Sequence, residues 1–185
     1  MPYPSQVTSE LILAQARAMV EAEGVDNLSL HQLAAALNVK APSLYRYFAN
    51  KTALLRALND DTFRGIFRAL QPAFDLPADA EAKLLAVAKA YRAYAHANPI
   101  SYGLAYTNTI AELRPDEAEQ EQSVLPFQAI IAEISGEEYS LPALRGYLAL
   151  LHGFVTLELA QQFRRGGDLD DAFIQSAQAY LRGWR

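Results

Sequence analysis

The chain of 185 residues carries 16 lysines and arginines against 21 aspartates and glutamates, and 51 % of its residues are hydrophobic. This is a globular composition, because disordered chains hold less apolar mass and a membrane span needs about 18 or more consecutive apolar residues. The absence of cysteine excludes disulfides, thiolate chemistry and cysteine-bound zinc. Residues 1–10 lack the basic flank and the apolar run of a signal peptide, so we expect a cytoplasmic protein without a membrane segment.

The formal charge of −5 is distributed unevenly along the chain. Residues 1–56 carry a net charge of +1, whereas residues 57–185 carry −6. An asymmetry of this kind suits a small head that faces an anion, attached to a larger acidic body.

Helical periodicity runs through nearly the whole chain, and no segment shows the sustained alternation that is typical of strands. The first four predicted helices cover residues 9–23, 29–37, 41–48 and 51–70. Gly24 ends the first helix, Ser29 is a good N-cap for the second, and Asn38 can adopt the left-handed conformation that ends it. Pro42 is tolerated in the first turn of the third helix, and Pro72 is expected to close the fourth.

The remainder of the chain predicts five further helices. They cover residues 78–97, 99–107, 115–134, 141–165 and 168–185. Asp168 is the predicted N-cap of the last one, with Asp170 and Asp171 in its first turn. The sequence therefore predicts an all-α protein of about nine helices.

One short segment carries the strongest functional pattern. Residues 29–48 read as a helix, the turn at residues 38–40 and a second helix, which is the outline of a helix-turn-helix. In that motif the second helix enters the major groove of DNA. Arg46 can pair with guanine or a phosphate, and Lys51 can hold a phosphate at the start of the next helix. The predicted DNA-binding residues are Ser29, His31, Lys40, Ala41, Pro42, Ser43, Tyr45, Arg46, Tyr47 and Lys51.

The residue types in this segment also match a known family. Leu33-Ala34-x-x-Leu37-x-Val39, followed by Leu44-Tyr45-Arg46-Tyr47-Phe48-x-x-Lys51-x-x-Leu54-Leu55, closely resembles the DNA-binding head of the TetR family of transcriptional repressors. The resemblance covers roughly residues 9–56. It departs at Lys40, where many members place a serine cap, so that Ala41-Pro42 must begin the recognition helix. The resemblance implies a dimeric repressor that binds palindromic double-stranded operator DNA and is released by a small-molecule effector.

A second resemblance lies in residues 149–159. This stretch is similar to the His-Gly-containing helix of one class of TetR-family C-terminal domain, in which a tryptophan usually precedes the His-Gly pair. Here Leu151 precedes His152-Gly153, and Tyr147 lies nearby. Together the resemblances imply a helix-turn-helix DNA-binding domain in residues 1–50 and an effector-binding and dimerisation domain in residues 51–185.

The helix predicted around residues 146–157 carries no formal charge and has apolar side chains on every side. Such a helix must be covered all round, partly by its own core and partly by a partner chain. In the family that the chain resembles, the last two helices form the dimer. The predicted interface residues are Leu148, Val155, Leu159, Phe173, Ala177 and Tyr180.

Several tyrosines lie in or beside the uncharged segment 93–111. An apolar, aromatic wall with a few polar groups is typical of a ligand cavity. The predicted effector-pocket residues are Tyr91, Tyr94, Tyr102, Tyr106, Phe127, Tyr147 and His152. The alternative for each of them is a core role, with tyrosine hydroxyls that reach water and a buried, hydrogen-bonded His152. Glu158 can meet a cationic effector or pair with an arginine, and pairing is the favoured interpretation.

The sequence offers no catalytic or metal-binding arrangement. His31, His96 and His152 lie far apart, and the chain contains neither a glycine-rich phosphate loop nor a nucleophile elbow. We therefore predict a protein that is not an enzyme and that uses no metal and no cofactor. The alternative is a helical protein–protein interaction module without sequence-specific DNA binding, which would leave Tyr45-Arg46-Tyr47 unexplained.

Overall fold

The structure, a computed structural model, describes residues 7–107 and 109–185, and within them it contains nine α-helices and no β-strand. The helices are α1 (Ser9–Glu23), α2 (Leu30–Ala36), α3 (Ala41–Tyr45), α4 (Lys51–Phe74), α5 (Ala80–Ala97), α6 (Pro99–Thr107), α7 (Glu117–Ser135), α8 (Ser140–Leu159) and α9 (Leu169–Arg182). Short 3-10 turns at Ala111–Leu113 and Glu137–Tyr139 precede α7 and α8. None of the described helices combines the length and the hydropathy that crossing a bilayer requires. The predicted all-α class is confirmed.

The described chain divides into two compact units. The first contains the described residues up to Arg64 and those from Asn98 to Asp116, and the second contains Gly65–Ala97 and Glu117–Arg185. Helices α1, α2, α3 and α6 therefore lie in the first unit, and α5, α7, α8 and α9 lie in the second. Helix α4 belongs to both, because the division falls within it.

The first unit is built around an apolar core. Thr8 caps α1 by accepting the N–H of Leu11 at 3.3 Å, and α1 buries Ile12, Ala16 and Val20 at a spacing of one helical turn. Helix α1 packs against α2 and α6, and α2 packs against α3. The buried residues of this core are Ile12, Ala16, Val20, Leu28, Leu30, Leu33, Ala34, Leu44, Phe48, Leu54, Leu55, Leu58 and Leu113.

Helices α3 and α4 end at other residues than predicted. Helix α3 stops at Tyr45 rather than Phe48: the N–H of Tyr47 donates to the Leu44 carbonyl at 2.9 Å in a tighter turn, and Phe48 is only 8 % exposed. Helix α4 passes through Pro72 and ends at Phe74. A proline removes one intrahelical hydrogen bond and crowds the preceding turn. Pro72 therefore cannot donate to the Arg68 carbonyl one turn earlier, and α4 continues for only two residues beyond it.

Helix α5 is packed against α7, α8 and α9 in the second unit. Phe127 of α7 and Tyr147 of α8 are fully buried, and their rings meet edge to face at a centroid distance of 6.0 Å. The Tyr147 hydroxyl donates to the Leu84 carbonyl of α5 at 2.9 Å. Burial also raises the pKa of this hydroxyl above its usual value. Tyr147 is thus a core tyrosine that ties α8 to α5.

Helix α8 ends at Leu159 rather than at the predicted Arg165. Gln161 adopts a left-handed conformation with φ of 55°, and the N–H of Gln162 donates to the Leu157 carbonyl at 2.8 Å. A left-handed residue is the common way to end a helix, although glycine usually supplies it. The chain therefore leaves the helix before it reaches the two glycines that follow.

Helix α9 has the N-cap that the sequence predicts. The side chain of Asp168 accepts the N–H groups of Asp170 and Asp171, so the predicted N-cap is confirmed. Further along α9, the Tyr180 hydroxyl donates to the Ala143 carbonyl of α8 at 2.8 Å. A Cβ atom at Gly146 would collide with this hydroxyl, so Gly146 permits the close packing of the two helices.

Candidate functional site

Local hydrogen bonds build the helix-turn-helix of the first unit. Ser29 caps α2, because its hydroxyl oxygen accepts the N–H of Gln32 at 3.2 Å and its O–H donates to the Gln32 side chain at 2.7 Å. Asn38 has φ of 54°, and the N–H of Val39 donates to the Ala34 carbonyl at 2.9 Å. This closure reverses the chain after α2. The prediction that Asn38 adopts the left-handed conformation is confirmed.

Helix α3 begins as the departure at Lys40 predicts. Lys40 occupies the cap position without making a side-chain cap, and Pro42 lies in the first turn. Leu44 is completely buried and anchors α3 to the core. Arg46, which caps the other end of α3, is exposed and makes no ion pair or hydrogen bond with its side chain to the residues that the structure describes.

Five of the predicted DNA-binding residues in this segment have exposed side chains, and we call this group the recognition face. It consists of Lys40, Pro42, Tyr45, Arg46 and Tyr47. Tyr45 is 46 % exposed and Tyr47 is 40 % exposed, which is high for aromatic side chains. Among the other predicted DNA-binding residues, His31 is exposed. The half-buried ones are Ser29, Ala41, Ser43 and Lys51.

Two of the predicted DNA-binding residues already have partners within the first unit. The Tyr47 hydroxyl donates to the Val7 carbonyl at 2.5 Å, and the Lys51 ammonium donates to the Asp26 carbonyl at 3.1 Å. An ammonium has three donors, so Lys51 retains two for a phosphate. The single O–H of Tyr47 is in use, so a phosphate contact by Tyr47 requires this bond to break.

A polar network that the sequence patterns did not reveal joins α1 to α4 and α6. Arg17 donates to Asp61 at 2.6 Å and to the Ser101 hydroxyl at 3.1 Å. Glu21 accepts the backbone N–H groups of Ile100 and Ser101, both at 2.9 Å, and the Ser101 hydroxyl at 2.5 Å. Glu21 of α1 therefore caps the first turn of a different helix, α6.

The predicted effector-pocket residues are divided between the two units. Tyr102 and Tyr106 lie on α6 in the first unit, with ring centroids 4.9 Å apart, and Tyr106 packs on Phe63 of α4 at 5.0 Å. The members in the second unit are Tyr91, Tyr94, Phe127, Tyr147 and His152. Of these, Phe127 and Tyr147 contact each other. A common pocket for all of these residues stays a prediction.

The predicted dimer-interface residues differ in their accessibility within the single chain. Val155, Phe173 and Ala177 are completely buried, because α8 and α9 use these positions to pack in the core of the second unit. These three residues therefore have a core role within the single chain, and an interface role for them is a prediction as well. Leu148, Leu159 and Tyr180 are half-buried, and for them an interface role stays a prediction.

Glu158 pairs with an arginine, which confirms the favoured interpretation. Arg92 of α5 donates to both carboxylate oxygens of Glu158 at 2.8 and 2.6 Å and contacts Asp170 at 2.7 Å. The Nε2 atom of His96 lies 2.9 Å from Glu158. The hydrogen bonds that Arg92 donates to Glu158 lower the pKa of Glu158 and raise the pKa of Arg92. This cluster ties α5 to α8 and α9.

Two family models match the chain. The model described as "Bacterial regulatory proteins, tetR family" matches residues 12–58. The model described as "Tetracyclin repressor-like, C-terminal domain" matches residues 84–180. The matches therefore cover the helix-turn-helix and most of the body.

Individual proteins are similar over most of their length. The uncharacterised HTH-type transcriptional regulator YobS of Bacillus subtilis is 28 % identical, with 96 % of this chain and 92 % of the relative covered. The uncharacterised HTH-type transcriptional regulator Rv0681 of Mycobacterium tuberculosis is 31 % identical, with 84 % of this chain and 72 % of the relative covered. The crystal structure of a TetR variant from Acinetobacter baumannii AYE, in complex with minocycline, has the same fold, with a TM-score of 0.73, 23 % identity and 96 % of each chain covered.

In the second helix of the helix-turn-helix, Leu44 is buried in the core, and Arg46 at the end of this helix is exposed. Helix-turn-helix regulators read DNA with exposed side chains of this second helix. Within the described residues, no group of three or more His, Asp or Glu side chains could hold a metal ion. The fold and the exposed segment are those of a helix-turn-helix protein, and the matches to both family models and to the relatives identify its family. The chain belongs to the TetR family of bacterial regulatory proteins and is a transcriptional regulator.

Proposed function

We propose that the protein is a repressor that binds palindromic operator DNA as a homodimer and leaves it when a small-molecule effector binds. The DNA part rests on the recognition face, where the exposed Arg46 has no partner among the described residues. An arginine can donate two parallel hydrogen bonds to a guanine edge, the commonest base-specific contact. Lys40 and Lys51 supply cations for the phosphates on either side of it.

The test begins with the selection of bound duplexes from a random pool of double-stranded DNA by the full chain. We expect a palindrome whose half-sites lie about one DNA turn apart, roughly 34 Å. Arg46→Ala should then weaken binding to the selected duplex by about 1–3 kcal/mol and relax the preference at one base position in each half-site.

The control for this prediction is Arg165→Ala, because Arg165 is an exposed arginine in the second unit. This variant should bind the selected duplex as tightly as the wild type does. Equal affinity of Arg46→Ala and the wild type, measured by fluorescence anisotropy, would remove Arg46 from the proposed base contact.

The effector part of the proposal rests on the aromatic group of Tyr102, Tyr106 and Phe63 in the first unit, together with the length of α4. Helix α4 belongs to both units, so a ligand that displaces one end of it can alter the head. The coupling required is modest, since a 100-fold loss of operator affinity corresponds to about 2.7 kcal/mol. The A. baumannii TetR variant in complex with minocycline supports a small organic molecule as the effector.

Thermal-shift screening of small-molecule libraries identifies a ligand, because a binder stabilises the folded state by mass action. Once a ligand is identified, we expect Tyr106→Ala to reduce ligand-induced release of the selected duplex. DNA binding without ligand should stay close to that of the wild type. Phe163→Ala is the control, since Phe163 is an exposed aromatic residue of the second unit. Equal release by the wild type and Tyr106→Ala would exclude Tyr106 from the effector site.

Two narrower assignments belong to the same proposal. The pair His152-Gly153 on α8 supports membership of the His-Gly-containing class of C-terminal domains. A regulator that binds operator DNA acts in the compartment that holds the chromosome, so we assign the protein to the cytoplasm.

A further inference from the structure

A cleft of about 540 Å³ opens between α5 and α9 in the second unit. Its volume falls within the range of small-molecule sites, about 300–1,000 Å³. The lining residues are Lys89, Arg92, Ala93 and His96 of α5 and Asp170, Asp171, Phe173 and Ile174 of α9. None of them belongs to the tyrosine-rich effector site proposed above, so the cleft is a separate candidate.

Arg92 forms a fixed part of the cleft wall. Its guanidinium group donates to both oxygens of Glu158, contacts Asp170 and lies 5.5 Å from the centre of the Phe173 ring. The Glu158 side chain is only 9 % exposed and is also contacted by His96. The charged and polar groups of Arg92, Asp170, Glu158 and His96 pair with one another. They therefore form the wall of the cleft and are less available to a charged ligand.

Lys89 and Asp171 are different, because both are exposed and neither has an ion pair or a side-chain hydrogen bond with the described residues. They stand on opposite helices and line the same cleft. The lining also includes two accessible apolar side chains, the exposed Ala93 of α5 and the half-buried Ile174 of α9. A cleft that presents a free cation, a free anion and accessible apolar side chains is complementary to a molecule that carries both charges and a short apolar group.

We propose that this α5–α9 cleft binds a small zwitterion of the α-amino-acid type with a short apolar side chain. Lys89 receives the carboxylate, Asp171 receives the ammonium group, and the apolar side chain lies against Ala93 and Ile174. A zwitterion gains a charge-assisted hydrogen bond at each end. An anion or a cation of the same shape gains one such bond and leaves the other charged residue of the cleft unpaired.

The test is isothermal titration of the full chain, without DNA, using three probes that share one branched apolar body. They are L-leucine, 4-methylpentanoate, which lacks the ammonium group, and 3-methylbutylamine, which lacks the carboxylate. L-leucine should bind at least about tenfold more tightly than either of the others. Lys89→Gln should weaken leucine binding to the level of the amine, and Asp171→Asn should weaken it to the level of the carboxylate.

Matched controls are Lys83→Gln on α5 and Glu133→Gln on α7, which lie outside the cleft and should bind leucine as the wild type does. No binding of leucine, equal affinity for the three probes, or unchanged leucine binding in Lys89→Gln and Asp171→Asn would each overturn the proposal. The measurement uses no DNA, so its failure leaves the proposed repressor function untouched. A finding that the chain does not bind operator DNA would likewise leave the leucine titration unaffected.

Discussion

At the scale of single residues, burial controls the charge of His152. Its imidazole is half-buried on α8, and desolvation lowers its pKa below the ordinary value. An unfolded chain takes up a proton on this side chain at about pH 6.5, whereas the folded chain resists protonation until a lower pH. The folded state therefore loses stability as the pH falls below about 6.5.

We predict that His152→Asn reduces this pH dependence. The melting temperature of the wild type should fall between about pH 7.5 and about pH 5.5, and the fall should be smaller in the variant because no buried imidazole resists protonation. His31→Asn is the control, since His31 is exposed, and it should retain the wild-type dependence. A His152→Asn protein whose melting temperature falls as far as that of the wild type would show that another group causes the loss.

At the scale of helices, the cap that Glu21 provides for α6 is open to a direct test. Glu21→Ala removes the acceptor of two backbone N–H groups and of the buried Ser101 hydroxyl. The free energy of unfolding should decrease by about 1–2 kcal/mol, since a lost cap and an unsatisfied buried donor both destabilise. Denaturant titration followed by circular dichroism measures this change.

Glu23→Ala is the matched control for this cap. Glu23 lies on the same helix, is exposed and has no side-chain partner among the described residues, so its substitution should change stability by less than about 0.5 kcal/mol. If the two variants are equally stable, the carboxylate of Glu21 does not contribute as a cap.

Helix bounds could be predicted from the sequence where local chemistry sets them. Gly24 caps the end of α1 and Asp168 caps the start of α9, as predicted, because a glycine stop and an aspartate cap act within one turn. The end of α8 could not be predicted in this way. The left-handed conformation of Gln161 is uncommon for a residue other than glycine, and the Phe163 ring that follows packs on Phe154 at 4.7 Å. Such a contact depends on tertiary structure.

The candidate sites also differ in whether neighbouring residues or tertiary contacts determine them. The helix-turn-helix lies within one continuous segment, so its turn at Asn38 and its exposed Arg46 follow from neighbouring residues. The bond between Arg17 and Ser101 joins residues 84 positions apart, and that between Arg92 and Glu158 joins residues 66 positions apart. The sequence predicts that Glu158 pairs with an arginine, but which arginine it meets depends on the packing of the helices.

At the scale of the whole molecule, the single chain leaves apolar side chains of α8 accessible. Leu141 is 42 % exposed and Leu157 is 46 % exposed, and Leu148 and Leu159 are half-buried. Accessible apolar side chains grouped on one helix are typical of a protein–protein interface. A twofold dimer buries the same surface of both copies and supplies two recognition faces, as a palindromic operator requires.

The last prediction places this interface on the accessible side of α8. Leu148→Asp should convert the proposed dimer to a monomer in sedimentation velocity, because the interface would bury a carboxylate without a partner. The corresponding change at Val155 is no test of assembly, since Val155 is completely buried and its loss would damage the core of the chain itself. Leu76→Asp is the matched control, because Leu76 is an exposed leucine outside α8 and α9, and this variant should remain a dimer. A Leu148→Asp protein that sediments as a dimer would exclude this part of α8 from the interface.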